Sequence, residues 1–421
     1  MAEKMNINVR SEIGELEGVI LHTPGSEVEN MTPKNAERAL YSDILNLSVA
    51  QKEYSQLSGV LGKLTQTFQV KDLLSDILTN EKVKETLLNK ICTYEQKCNL
   101  SKHLKALDAK ELSRQLIEGV IEEKNTLTKY LNKERYSLRP LHNFFFTRDA
   151  AMSVLDDVLI GRMASNVRER ESLIMEAIFD YHEMFVTKTV NPLNSANYTT
   201  ETSIEGGDVL VARDDILCIG TGTRTSPQGI DFILERLLAQ KEKHRHILIQ
   251  ELPYKPESFI HLDMVFTFLD VDTCMVYDPL ILQTNRFQTI HMKIDNGKVT
   301  SIREEENLVK SLKDLGMDLK PVYCGGTKDP WVQEREQWHS GANFFAIGPG
   351  KVIGYGRNTY TMDEMNKNGF EILKAKDVIS GKIDPNAYKK YVITLEGSEL
   401  PRGGGGARCM TMPVRRKPIK W

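Results

Sequence analysis

From Pro33 to Pro140 the chain carries no proline, and its apolar residues recur at helical spacing. Leu57, Val60, Leu61 and Leu64 form one set, and Leu73, Leu74, Ile77 and Leu78 a second. Val83, Leu87, Leu88 and Ile91 form a third, followed by Leu112, Leu116, Val120 and Ile121. Steps of three and four place each set on one face of a helix. Asn80 and Asp108 stand where a side-chain oxygen accepts the first free backbone N–H groups of a helix. Residues 50–135 are therefore expected to be a helical insertion, packed beside the main body of a single domain spanning 1–421.

After Pro140 the pattern changes to short apolar strands in pairs. Ala151–Gly161 reads as a hairpin turning at Asp156-Asp157, and Gly207–Gly220 as another turning at Asp214-Asp215. Met264–Tyr277 and Asn343–Tyr355 repeat the pattern. Candidate helices follow at Arg168–His182, Pro227–Ala239 and Glu304–Leu315. The unit of strand, turn, strand and helix thus recurs at roughly 55–80 residues. The apolar run Glu17–Gly25 and the stretch Met410–Val414 are expected to pair as a fifth, closing unit. Repeats that cannot bury their own faces pack into a ring or a stack, and a ring has a central mouth where strand ends converge.

Composition narrows the function classes. The chain is 40% hydrophobic and 27% charged with a net charge of −3, so it offers no electrostatic case for nucleic acid or an anionic membrane. Its N-terminus lacks the apolar core of a signal peptide, and no span approaches transmembrane length. The six cysteines are scattered without a CxxC pair, which points to reduced thiols and a cytoplasmic setting.

Polar residues lead into each hairpin: Asn143-Phe-Phe-Phe146-Thr-Arg148-Asp149, Glu205-Gly-Gly-Asp208, His261-Leu-Asp263 and Asn343. Near the C-terminus comes Arg402-Gly-Gly-Gly-Gly-Ala-Arg408-Cys409. Equivalent positions in a repeat converge on one point. Taken singly, Asp149 and Asp208 read as turn residues, His261 as a core histidine and Cys409 as a buried thiol. Together they suit chemistry on a guanidinium group. Two carboxylates, Asp149 and Asp263, bind its planar fork of N–H donors. The thiolate of Cys409, its pKa lowered by adjacent Arg408, attacks the central carbon. His261, held charged by Glu205, protonates the departing ammonia and then deprotonates water. This scheme calls for no metal and no cofactor.

The segments NFFFTRD (143–149), EGGD (205–208), HLD (261–263) and RGGGGARCMTMP (402–413), in this order, resemble the arginine deiminases of the guanidine-modifying superfamily. The likeness extends from the EGVILHTPG strand to the C-terminus. It implies a five-bladed pseudo-symmetric α/β propeller of strand-strand-helix-strand repeats, and one catalytic domain. It also implies hydrolysis of L-arginine to L-citrulline and ammonia, with Cys409, His261, Glu205, Asp149 and Asp263 as catalytic residues, in arginine catabolism. Arg168 and Arg224 match the family's grip on the substrate carboxylate, joined by Asn143. Phe146, Asp208 and Gly403 complete the implied binding surface. The resemblance further implies a homo-oligomer, dimer or tetramer. It departs at Gly404, where some members carry a mobile arginine; Arg402 and Arg408 are the flanking candidates for that role. An amidinotransferase using an amine in place of water, and a non-catalytic arginine-binding protein, are the alternatives. Trp331 and Trp338 read as packing residues of a loop or interface.

Overall fold

The computed structural model describes residues 4–41, 43–240 and 244–421, with the backbone alone for Lys34 and Asn35. Met1–Glu3, part of the N-terminus read above, lie outside the described residues. The fold is mixed α/β, and one strand pattern recurs five times. Ala151–Val154 pairs antiparallel with Asp157–Ile160, which pairs parallel with Lys188–Val190. Val209–Arg213, Ile216–Thr221 and Arg245–Glu251 repeat this order, as do Phe266–Asp270, Thr273–Val276 and Lys320–Tyr323. Phe345–Gly348, Lys351–Tyr355 and Tyr391–Leu395 form the fourth unit. In the fifth, Met412–Arg416 lies antiparallel to Leu16–Leu21, which is parallel to Gln66–Gln69. A parallel third strand requires a crossover, and a helix supplies it in several units, such as Glu169–Tyr181 in the first and Pro227–Leu238 in the second.

The helical stretch divides by what it packs against. Leu47–Leu64 is the crossover of the closing unit: Tyr54, Leu57, Val60 and Leu61 share an apolar cluster with Val378, Tyr391 and Ile393. Gln66–Gln69, inside the run expected to be helical, is a strand paired with Gly18–Leu21. Val70–Leu78, Glu81–Tyr94 and Ala109–Glu118 pack instead on the first unit, where Leu74, Leu88 and Leu116 join Ile174 and Ile178. Asn80 and Asp108 cap their helices, accepting from Val83 N and Glu111 N.

The helix expected over Glu304–Leu315 is shorter. Lys298–Glu305 is a strand paired with Thr289–Asp295, and the helix runs Leu308–Asp314 from an Asn307 cap. Three consecutive glutamates look like an acidic first helical turn, but the alternation from Lys298 onward lets this stretch extend the second sheet. Among the described residues, no helix is long and apolar enough to cross a membrane.

Candidate active site

Each of the five units delivers polar side chains from the segment leading into its first strand. Asp149, Glu205 with Asp208, His261 with Asp263, Asn343, and Arg408 with Cys409 all occupy that place, and all are buried. Repetition of backbone geometry is what gathers residues so distant in sequence.

His261 Nε2 lies 3.0 Å from Glu205 Oε2, and its Nδ1 lies 3.8 Å from Asp149 Oδ1. Burial disfavours the charged imidazole, but Asp149, Glu205 and Asp208 outweigh it and lift the pKa to about 9. Burial likewise opposes ionisation of Glu205, yet Arg224, His261 and Arg168 bring its pKa down to about 2. The pair is therefore an ion pair at neutral pH. Asp208 is fixed close by: its Oδ1 accepts from Leu262 N at 2.9 Å, and burial pushes its pKa up to about 7. Its neighbour must be glycine, because a Cβ on Gly207 would meet His261 Nδ1 at 2.4 Å.

Cys409 Sγ lies 3.8 Å from Asp263 Oδ2 and accepts from Asn343 Nδ2 at 3.2 Å. Asn343 Oδ1 in turn accepts from Arg408 N at 2.8 Å, so one amide fixes the loop and the thiol together. Sequence reading noted Asn343 as a strand leader without a role; its repeat-equivalent position was the only signal. Close packing also explains the glycine run. A Cβ on Gly406 would meet Asn343 Oδ1 at 2.5 Å, and one on Gly405 would meet Phe146 Cε1 at 2.5 Å.

Arg408 does lower the Cys409 pKa, as expected, but it is outweighed, and the expectation of a thiol held below its ordinary value is corrected. Burial, then Asp263 and Asp149, push the thiol well above its ordinary value. The Arg408 guanidinium is also shared with two carboxylates, through Nη1 to Asp263 Oδ2 at 2.8 Å and through Nε to Glu12 Oε2 at 3.0 Å. Glu12 was not legible as part of this site. Burial raises its pKa, but Arg408, Arg148 and Arg416 bring it down to about 2. Asp263→Asn is accordingly expected to speed alkylation of Cys409 at neutral pH about tenfold or more, since each pKa unit is a factor of ten in thiolate. Iodoacetamide kinetics followed by peptide mass analysis would measure it, and an unchanged or slower rate would contradict the electrostatic account.

Arg168 is not at the mouth. It is buried behind Asp149, with Nη1 to Asp149 Oδ2 at 2.8 Å and Nη2 to Glu171 Oε2 at 2.8 Å. Glu171, one turn along the same helix, completes this grip; burial lifts its pKa to about 7. Asn143 is also turned inward, donating to Ala39 O at 2.8 Å. Arg224 does face the mouth, a cavity of about 610 Å³ also lined by Gly403, Gly404 and Arg402. Its Nη1 lies 3.7 Å from Glu205 Oε1. Trp338 lines this mouth too, where sequence reading placed it in packing alone. Of the two arginines flanking Gly404, Arg402 sits at the rim, bonded to Asp43 and Glu399, while Arg408 is buried.

Asp149, Glu205 and His261 place ligand atoms within 4.8 Å of one another, a donor set of the type that holds a divalent cation. The same carboxylates already face the Arg168 and Arg224 guanidiniums, so their charge is met by the protein's own cations.

Solved structures share this fold. The N-terminal domain of the cyanobacterial arginine dihydrolase ArgZ, bound to product, superposes with a TM-score of 0.53 at 13% identity, covering 95% of this chain and 97% of that one. The amidinotransferase SxtG of Microseira wollei does so with a TM-score of 0.52 at 14% identity, covering 98% of each. Sequence comparison is more specific. The arginine deiminase family model matches residues 37–416. Arginine deiminases of Oenococcus oeni and Bacillus cereus are 31% and 33% identical, over 100% and 99% of this chain and 100% of each relative. The chain belongs to the arginine deiminase family.

Proposed function

We propose that this enzyme hydrolyses L-arginine to L-citrulline and ammonia at Cys409. The observation that carries the reading is a buried thiol flanked by Asp263 and Asp149, beside an oriented His261–Glu205 ion pair. Asp149 Oδ1 has no hydrogen-bond partner among the described residues, which leaves it free for a guanidinium N–H. Each of the two carboxylates that keep the thiol protonated already has one arginine partner, and the substrate's cation is a further positive charge beside them. With that charge in place, Cys409 ionises beside the carbon it attacks. The S–C bond forms, His261 gives a proton to the departing nitrogen, and ammonia leaves a thiouronium intermediate on Cys409. Neutral His261 next takes a proton from water, whose oxygen adds to the same carbon. Cleavage of the S–C bond frees citrulline and the thiol. His261 Nδ1, turned away from Glu205, is the nitrogen that serves the substrate.

Arg224 at the mouth meets the α-carboxylate. Arg168, held on Asp149 Oδ2 and by Glu171, stays behind the Asp149 carboxylate, whose free Oδ1 meets the substrate guanidinium. Phe146 and Gly403 line the apolar stem. The five repeated strand pairings support a five-bladed α/β propeller as the scaffold, one catalytic domain over 1–421. Of the 50–135 stretch expected as an insertion, the part up to Gln69 belongs to the closing unit, and the helices from Val70 to Glu118 are added on the first.

The test offers L-arginine and agmatine, which lacks the carboxylate, and follows citrulline, carbamoylputrescine and ammonia. Arginine alone should turn over. Arg224→Ala should raise KM for arginine by about 10–100-fold, the loss of one charge-assisted hydrogen-bond partner, and leave kcat less affected. Equal turnover of agmatine, or transfer of the amidino group to added glycine, would overturn the reading.

A further inference from the structure

A second cleft, of about 500 Å³, lies between the helical segment and the loop that carries Arg168. Four guanidinium groups line it: Arg38, Arg139, Arg162 and Arg170. They share three carboxylates. Glu134 serves both Arg38, at 3.0 Å, and Arg139, at 3.6 Å; Glu169 serves Arg162 at 2.6 Å and Glu95 serves Arg170 at 2.8 Å. Two buried donors in the lining have no partner among the described residues, Arg170 Nε and the Tyr136 hydroxyl. Arg170 is only 1% exposed, and burial pushes its pKa below the usual guanidinium range. A desolvated, incompletely paired cation is costly unless a further acceptor reaches it.

We propose that this cleft binds the phosphate group of a small organic phosphate ester. The guanidinium fork matches phosphate oxygens in a bidentate way, and the two orphaned donors need an acceptor with several oxygens. The volume is that of an organic ligand site, well beyond a free ion, and Tyr94 and Tyr136 give it aromatic walls. The site is independent of the reaction at Cys409. Its wall is nonetheless shared with the catalytic side: Asn143 lines the cleft, and Arg168 Nη2 donates to Asn143 O at 3.5 Å.

The probes are phenyl phosphate and inorganic phosphate, titrated calorimetrically into the full chain at constant ionic strength set with chloride. Arg38→Gln combined with Arg139→Gln removes two half-exposed cations and spares the core. Saturable binding to the wild type, weakened about tenfold or more in the double variant, is the expected result. Tyr136→Phe, which deletes only the orphaned hydroxyl, should weaken binding by a smaller factor without changing the melting temperature. Phenyl phosphate binding more tightly than inorganic phosphate would identify the ester as the source, and equal binding a free oxoanion. Heats indistinguishable from chloride, or affinity unchanged in the double variant, would overturn the proposal. Competition with arginine that persists in the double variant would place the phosphate at Arg224 and overturn it equally.

Discussion

Cys409→Ala is expected to lower arginine turnover by ~10⁴-fold or more, because covalent catalysis loses its only route when the nucleophile is gone. Arginine binding should survive. Alanine leaves Asp149, Asp263 and Arg224 in place, and it removes only the thiol that donates to Asp263 Oδ2 at 3.8 Å. A rapid quench of the wild type, followed by intact-protein mass analysis, should show an adduct on the peptide containing Cys409. The variant should show none. Turnover within tenfold of wild type would mean that another group attacks the guanidinium carbon, and the reading built on Cys409 would fail.

For His261→Asn we expect a loss of ~10²–10⁴-fold, the usual worth of a positioned acid–base group. The pH dependence gives the finer test. Because the His261 pKa is raised to about 9, the imidazolium that protonates the leaving nitrogen is present throughout the neutral range and is lost as pH climbs through that value. The rate should therefore decline on the alkaline side near pH 9. Glu205, held down at about 2, keeps its charge far into acid and sets no limb near neutrality. The stabilities run the same way. The His261 contribution is complete below about 6.5, its ordinary value, and disappears as pH rises through 9. An alkaline limb that persists unmoved in the asparagine variant would show that another group is titrating.

The strands were legible because alternation and turn residues are local. Asp214-Asp215 marks its hairpin in any context, and Asn80 and Asp108 cap helices from within their own turns. The five polar strand leaders were legible for the same reason, since repetition makes equivalence visible along one chain. What escaped depends on partners far away. Arg408 beside Cys409 reads as a cation that activates the thiol, but Glu12, 396 positions away, pairs with it, and burial with Asp263 and Asp149 outweighs it. Arg168 reads as a free clamp, and Asp149 with Glu171 draws it inward. Gln66–Gln69 reads as part of a helical run, and only its pairing with Gly18–Leu21 makes it a strand. Local pattern gives the elements and residue types; the electrostatic state of each group belongs to the tertiary fold.

The strand following Cys409 is held by Leu16–Leu21, and an ion pair between Arg415 and Glu17 spans 398 positions. Contacts of that separation form late, because the loop they close is costly in entropy. The closing pairing that holds the reactive thiol is thus expected to form late in folding. A chain lacking that pairing would have no placed thiol and would not consume arginine. Refolding followed by activity should lag behind refolding followed by far-ultraviolet circular dichroism.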